Sequence, residues 1–190
     1  MELLKQKLIS EARVRAGGVL QVDHFLKQQS DILLLDQLAA EFAARYKALG
    51  VTKVLTVEAS GIAVAALTAV KLGVPLVYAA KARQGSASEH LLSAKVEAAG
   101  ATTTELVLPR EYLAETDRVL VIDDFLAQGS TLLALLDLVA LSGALPVGCG
   151  VMVEKAFCGG GEQVRARGVR LESLAKIADM SVDKGIVFAD

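Results

Sequence analysis

The sequence predicts an α/β domain built on a mostly parallel central sheet flanked by helices. Three observations lead there. Apolar runs of strand length alternate with segments of helical spacing at least three times along the chain. One of those runs, Val119, Leu120, Val121 and Ile122, is apolar without alternation, as in a strand covered on both faces. The 190 residues, 53% apolar and 22% charged, suit one globular domain with room for a real core.

The elements follow in order. Residues 2–16 have helical spacing through Leu4, Leu8 and Ala12, and Gly17 and Gly18 stop them. Residues 19–29 are short and mixed and read as a segment laid over something else, a lid. Residues 31–49 carry one apolar stripe through Leu34, Leu35, Leu38, Phe42 and Tyr46, the mark of an amphipathic helix, with Gly50 as its stop. A strand over 51–57, the turn Glu58-Ala59-Ser60-Gly61, a helix to Leu72 closed by Gly73, and a strand over 75–79 come next. Residues 80–100, including Lys81, Arg83 and His90, show no sustained period, and such a stretch inside a compact domain is usually functional or mobile.

Residues 103–108 return to strand character. The run 119–122 then ends at Asp123 and Asp124, where the strand is expected to stop, and Ala127, Gln128, Gly129, Ser130 and Thr131 lead into a helix ending near Gly143. A buried strand over 146–153 leads to Glu154-Lys155-Ala156-Phe157 and Gly159-Gly160-Gly161. A short helix to Arg167 and strands near 169–174 and 185–188 complete the chain.

A formal charge of −2 without a Lys/Arg block argues against nucleic acid as a partner. No apolar run approaches the ~18 residues of a membrane span, and the N-terminus has no signal-peptide pattern, so a cytoplasmic protein without a membrane partner is expected. Cys149 and Cys158 form no C-x-x-C, and only His24 and His90 could join them, so neither a zinc site nor a structural disulfide is expected.

The order strand, acidic pair, small loop, helix is the chemical core of the sequence. A small loop at a helix start offers unpaired N–H groups and the positive end of the helix dipole, a phosphate site in the making. Asp123 and Asp124 would repel a bare phosphate, so the ligand should also carry hydroxyls or a divalent cation; a phosphorylated sugar with a free diol meets both needs. Taken alone, the pair could simply end a strand and the loop cap a helix.

In parallel sheets ligands sit beyond the carboxyl ends of the strands, which brings Glu58 to Gly61, Asp123 to Thr131 and Glu154 to Phe157 to one edge. The small residues of the first turn let amides approach an anion. Lys155 at a strand exit, with Phe157 two residues on and the same side, suits a flat, oxygen-bearing heterocycle; alone, they read as a surface lysine and a core aromatic.

Residues 119–131 resemble the phosphoribosyl-diphosphate (PRPP) signature of the type I phosphoribosyltransferases. With Val19-Leu20-Gln21-Val22-Asp23-His24-Phe25-Leu26-Lys27 near the start, Val57-Glu58-Ala59-Ser60-Gly61-Ile62, Lys71-Leu72-Gly73-Val74-Pro75, Val153-Glu154-Lys155-Ala156-Phe157 and Leu171-Glu172-Ser173-Leu174-Ala175, the chain is similar over nearly its whole length to bacterial xanthine phosphoribosyltransferases. The resemblance implies the type I phosphoribosyltransferase fold over 1–190, with a hood over the base site from residues 1–30 and about 156–190. It implies a glycosyltransferase of purine salvage that moves 5-phosphoribosyl from PRPP to N9 of xanthine, releasing pyrophosphate.

By the same resemblance, Ala127, Gln128, Gly129, Ser130 and Thr131 hold the 5′-phosphate, Glu58, Ala59, Ser60 and Gly61 the pyrophosphate, and Asp123 and Asp124 the ribose hydroxyls. Lys81 heads a mobile loop that closes over the site, and Leu20, Lys27 and Lys155 face xanthine, joined by Phe157 on the reading of the strand exit given above. Mg²⁺ comes with PRPP near the two aspartates, with no direct protein ligand assigned, and a homodimer is implied. Gln128 stands where Asn or Thr is usual, and Lys27 where a smaller polar side chain is expected. Ala127 replaces the aspartate of hypoxanthine-guanine relatives, which sets the chain apart from that branch and leaves no general base in the signature.

The alternatives are a guanine/hypoxanthine phosphoribosyltransferase and a non-catalytic regulator sensing PRPP or purines on the same fold. A receiver or phosphatase built on Asp123-Asp124 leaves the Gly-Ser-Thr loop unexplained.

Overall fold

The computed structural model describes residues 1–82, 88–96 and 103–189. Five helices and ten strands run in the order α1 (Glu2–Glu11), β1 (Arg13–Arg15), β2 (Val19–Gln21), α2 (Ile32–Tyr46), β3 (Lys53–Val57), α3 (Ile62–Leu72), β4 (Leu76–Lys81), β5 (Leu91–Val96), β6 (Thr104–Pro109), β7 (Arg118–Leu126), α4 (Ser130–Ser142), β8 (Leu145–Lys155), α5 (Gly160–Ala166), β9 (Leu171–Ser181) and β10 (Gly185–Phe188) among the described residues. The main sheet has the order β10-β9-β8-β7-β3-β4-β6-β5. Its centre, β4, β3, β7, β8 and β9, is parallel, and β10, β6 and β5 are antiparallel additions at the two ends.

Parallel strands in the middle need cover on both faces, and two clusters of buried side chains provide it. One packs α1, α2 and α3 through Leu8, Leu38, Phe42, Tyr46 and Val64. The other packs α4 through Leu135, Leu138 and Val139 against Val119, Val121, Leu92 and Leu108. Asp31 caps α2 by accepting from Leu34 N at 3.1 Å, one of the orphan donors of the first turn. At the other end Tyr46 Oη donates to Cys149 O at 2.6 Å, fixing α2 to β8.

Four expectations are corrected. The first helix stops at Glu11 instead of running to 16, because Arg13, Val14 and Arg15 pair with Gln21, Leu20 and Val19 as a hairpin around Gly17 and Gly18. The stretch 80–100 is not patternless throughout: β5 lies within it, and Leu92 and Ala94 face Leu108 and Leu106 across the ladder. β7 does not end at the aspartates but carries them, pairing Asp123 with Val151 and Leu126 with Glu154. The strand expected near 169–174 begins at Leu171 and extends to Ser181.

Residues 1–21 lie against the C-terminal strands. Leu4, Leu8, Leu174, Ile177 and Met180 share one core, and the N-terminal amine donates to Leu174 O. Among the described residues, no helix is long and apolar enough to cross a membrane.

Candidate active site

Because β3, β7 and β8 are parallel neighbours, their carboxyl ends open on one edge of the sheet. Two adjoining cavities of about 360 and 310 Å³ lie there and share Val96, Phe125 and Thr131. The first is walled by Ala127, Gln128, Gly129, Ser130 and Thr131. The second is walled by Glu58, Ser60, Lys81, Asp123 and Asp124.

The loop 127–129 turns the chain from β7 into α4. Gly129 holds φ +87°, a left-handed conformation that other residues adopt at a cost, and serves as the N-cap of α4 without a side chain in the way. The first-turn amides of a 13-residue helix therefore face the first cavity.

Asp123 and Asp124 are 3% and 5% exposed, so two carboxylates share a nearly dry place. Asp123 Oδ1 accepts from Asp124 N at 2.9 Å, and Asp124 Oδ1 accepts from Phe125 N at 2.9 Å. Burial, and then the neighbouring Asp124 charge, push the Asp123 carboxyl well above the usual carboxylate range. Among the described residues, only Asp124 Oδ2 and Thr56 Oγ1 are buried side-chain polar atoms without a hydrogen-bond partner. Thr56 lies at the end of β3, and a Cβ on Gly61 would stand 2.3 Å from its hydroxyl and 3.0 Å from Asp123 Oδ1, so the first turn abuts the acidic pair. The Glu58–Ala59 peptide in that turn is cis.

Lys27 reaches the pair from the segment between β2 and α2. Its Nζ is 3.9 Å from Asp124 Oδ2 and 5.0 Å from the centre of the Phe125 ring. Lys155 Nζ instead donates to Gly18 O at 3.0 Å, tying the end of β8 to the β1–β2 turn. Burial, and to a lesser degree the charge of Lys27, lower the Lys155 ammonium, with Cys158 opposing. Lys81 is exposed, and its backbone N–H donates to Glu58 Oε1 at 3.3 Å.

Leu20, Lys27, Lys155 and Phe157, the four residues expected to face xanthine, are not among the residues that wall the two cavities. Leu20 is part of the hairpin itself, on β2, and is buried in the core. Phe157 is 49% exposed on a 3-10 turn, so the strand alternation expected to align it with Lys155 has ended before it. Arg83 and the remaining expected lid residues at 83–87 and 97–100 lie outside the described residues.

Sequence reasoning missed Phe125, which walls both cavities, and Cys158, which walls the first. Phe125 follows the acidic pair directly and was open to detection; Cys158 is far from the loop in sequence and gave no local sign. Among the described residues, no group of three or more His, Cys, Asp or Glu side chains is arranged to hold a metal ion.

Comparison with known proteins agrees with this geometry. The chain is 44% identical over 188 residues to the xanthine phosphoribosyltransferase of Bacillus mycoides, covering 98% of this chain and 94% of that one. It is 43% identical over 182 residues to the xanthine phosphoribosyltransferase of Oceanobacillus iheyensis, covering 95% and 94%. A crystal structure of the Giardia lamblia APRTase, complexed with 9-deazaadenine, superposes with a TM-score of 0.75 at 26% identity, covering 87% of this chain and 90% of that one. The family described as the phosphoribosyl transferase domain matches residues 21–173. An acidic pair carried within a central parallel strand, a small loop opening a helix and relatives matched along almost the full length show that the chain belongs to the phosphoribosyl transferase family.

Proposed function

We infer that this protein transfers the 5-phosphoribosyl group of PRPP to N9 of xanthine, giving xanthosine 5′-monophosphate and pyrophosphate. The observation that carries the reading is the 44% identity to a xanthine phosphoribosyltransferase over 98% of the chain. The adenine relative matches the fold at 26%, a weaker ground for base choice.

In this reading the amides and hydroxyls of Ala127 to Thr131 seat the 5′-phosphate, and Asp123 and Asp124 accept from the ribose hydroxyls. The partnerless Asp124 Oδ2 supports that role, since a buried acceptor without a donor is costly until a ligand supplies one. Amides of Glu58 to Gly61 receive the pyrophosphate as its charge grows, and Lys81 adds a cation beside them. The C1′–O bond loosens, N9 attacks C1′, the bonding pair leaves with pyrophosphate, and the proton that the xanthine imidazole ring loses passes to solvent. Water must be kept from the sugar cation while this happens, which is the use of a lid.

Mg²⁺ suits the same place: the donors at hand are oxygens, including the partnerless Asp124 Oδ2, and they are too few to cage the ion without the diphosphate. Bound with PRPP near Asp123 and Asp124, it would neutralise phosphate charge.

Lys27 and Lys155 supply donors for xanthine's ring carbonyls, with Leu20 and Phe157 as apolar cover, and a site rich in donors rejects the amino group of adenine. Residues 1–30 and about 156–190 form the hood. The Lys155–Gly18 hydrogen bond and the shared core of Leu4, Leu8 and Leu174 support it. The enzyme acts in cytoplasmic purine salvage as a homodimer.

The test is a base panel. PRPP and Mg²⁺ are mixed in turn with xanthine, hypoxanthine, guanine and adenine, and nucleotide formation is followed. Nucleotide from xanthine far above the rest is expected. Turnover centred on another base would keep the PRPP chemistry and overturn the xanthine assignment; PRPP binding without turnover would favour a regulator.

A further inference from the structure

Glu154 is 1% exposed, stands next to last in a central strand, and takes no part in the reaction described above. Its carboxylate accepts from both ends of the Arg165 guanidinium, Nη1 to Oε1 and Nη2 to Oε2, each at 3.1 Å, and from Ser173 Oγ. Burial alone would raise this carboxyl; Arg165 and Ser173 outweigh it and hold it below the usual value.

The pair lies directly under the start of α5. A Cβ on Gly161 would stand 2.0 Å from Glu154 Oε1 and 2.6 Å from Arg165 Nη1, so no other side chain fits between helix and ion pair. On its other side the same turn lies on the loop after β7. Gly160 N donates to Ala127 O at 3.0 Å, and a Cβ on Gly160 would stand 2.3 Å from Ala127 O, 2.5 Å from Gln128 C and 2.5 Å from Gly129 N. The ladder completes the ring, since Glu154 pairs with Leu126, the last strand residue before that loop.

We propose that Glu154 and Arg165 are positioning residues that clamp the Gly160-Gly161 turn onto residues 127–129 and so set the shape of the 5′-phosphate seat. The proposal rests on reading the loop 127–131 as that seat. Ion pair, glycine turn and loop are in close contact through Gly161 and Gly160, so a shift of the guanidinium is passed to the loop amides. The turn Glu58 to Gly61 lies on the other side of β7, at the end of β3, away from the stack of Arg165, Gly161 and Gly160.

The test separates the two anion seats. Binding of ribose 5-phosphate and of magnesium pyrophosphate is measured by calorimetry on the full chain for wild type, Arg165→Ala, Arg165→Lys and Gly160→Ala, with thermal melting as a check of folding. Arg165→Ala is expected to weaken ribose 5-phosphate tenfold or more and change pyrophosphate less than twofold; Arg165→Lys should recover part of the loss. Gly160→Ala should give the same selective loss with the ion pair intact, and it decides the matter if Arg165→Ala does not fold. In turnover the KM for PRPP rises while the KM for xanthine stays. Unchanged ribose 5-phosphate affinity in Gly160→Ala, or an equal loss of both ligands, overturns the clamp. If wild type turns over PRPP but ribose 5-phosphate does not bind, the loop assignment fails and the clamp's role with it.

Discussion

Lys27 Nζ lies 3.9 Å from Asp124 Oδ2, which pairs a cation with the buried acidic couple. Asp124 Oδ2 has no hydrogen-bond partner, so the lysine holds its place by charge and by its position over the Phe125 ring. Lys27 is partly exposed, which keeps the pair within the ~0 to 1 kcal/mol range of solvent-screened bridges. Lys27→Met should therefore lower thermal stability slightly in the free protein. The deficit should shrink when PRPP and Mg²⁺ are added, because their donors and charge then serve Asp124. Melting curves with and without ligand check this; an unchanged deficit would mean that the ligand does not reach Asp124.

Asp123 is expected to show a split between stability and turnover. Its carboxyl is raised by burial and by Asp124, so the folded chain binds the proton more tightly than the unfolded one does. A raised group contributes stability that is full below its unfolded value, about 3.9, and is lost as pH rises through the folded value. Wild type should thus lose stability over that rise, and Asp123→Asn should lose less of it. Turnover should fall on the order of 100-fold in the same variant, since an amide accepts less well from the ribose hydroxyls. Denaturant melts at several pH values and kcat/KM for PRPP read the two effects separately.

Local chemistry explains which parts were legible. Val119 to Ile122 needed no partner to be recognised as a buried strand, and the small residues after the aspartates announced a loop before a helix. Strand β5 was hidden because Leu91, Leu92 and Ala94 are few, and their burial depends on Leu106 and Leu108 across the ladder. Arg13-Val14-Arg15 continues a helical spacing, and only pairing with Val19-Leu20-Gln21 converts it to strand. The Lys27–Asp124 and Lys155–Gly18 links join residues far apart in sequence and leave no local trace. Likewise, Gly159-Gly160-Gly161 reads as a loop, and neither the start of α5 at Gly160 nor its packing on residues 127–129 could be read from it.

Tyr46 offers a control away from the chemistry. Its hydroxyl is buried and donates to Cys149 O at 2.6 Å, and burial above all raises the phenol beyond any working pH. Tyr46→Phe removes the donor and leaves the ring's packing, at a cost of about 1 kcal/mol. For a chain of this length, the melting temperature should fall by roughly 2–4 °C. Turnover should be unchanged, since Tyr46 is fully buried in the core at the joint of α2 and β8; a fall in kcat would show that this joint reaches the site.

Lys155 carries the remaining prediction because it has two tasks that a single ammonium performs in turn. In the free protein it donates to Gly18 O and so anchors the β1–β2 hairpin over the end of β8. In the proposed complex it donates to a ring carbonyl of xanthine. Burial and the charge of Lys27 make its ammonium easier to discharge, so both tasks weaken as pH rises toward its lowered value. Lys155→Met should raise the KM for xanthine tenfold or more and leave the KM for PRPP near its wild-type value. It should also speed amide exchange at Leu20 and Gln21 in the absence of ligand, as the hairpin loses its tether. Faster exchange with an unchanged KM for xanthine would make Lys155 a tether alone, and the carbonyl contact would then have to come from Lys27.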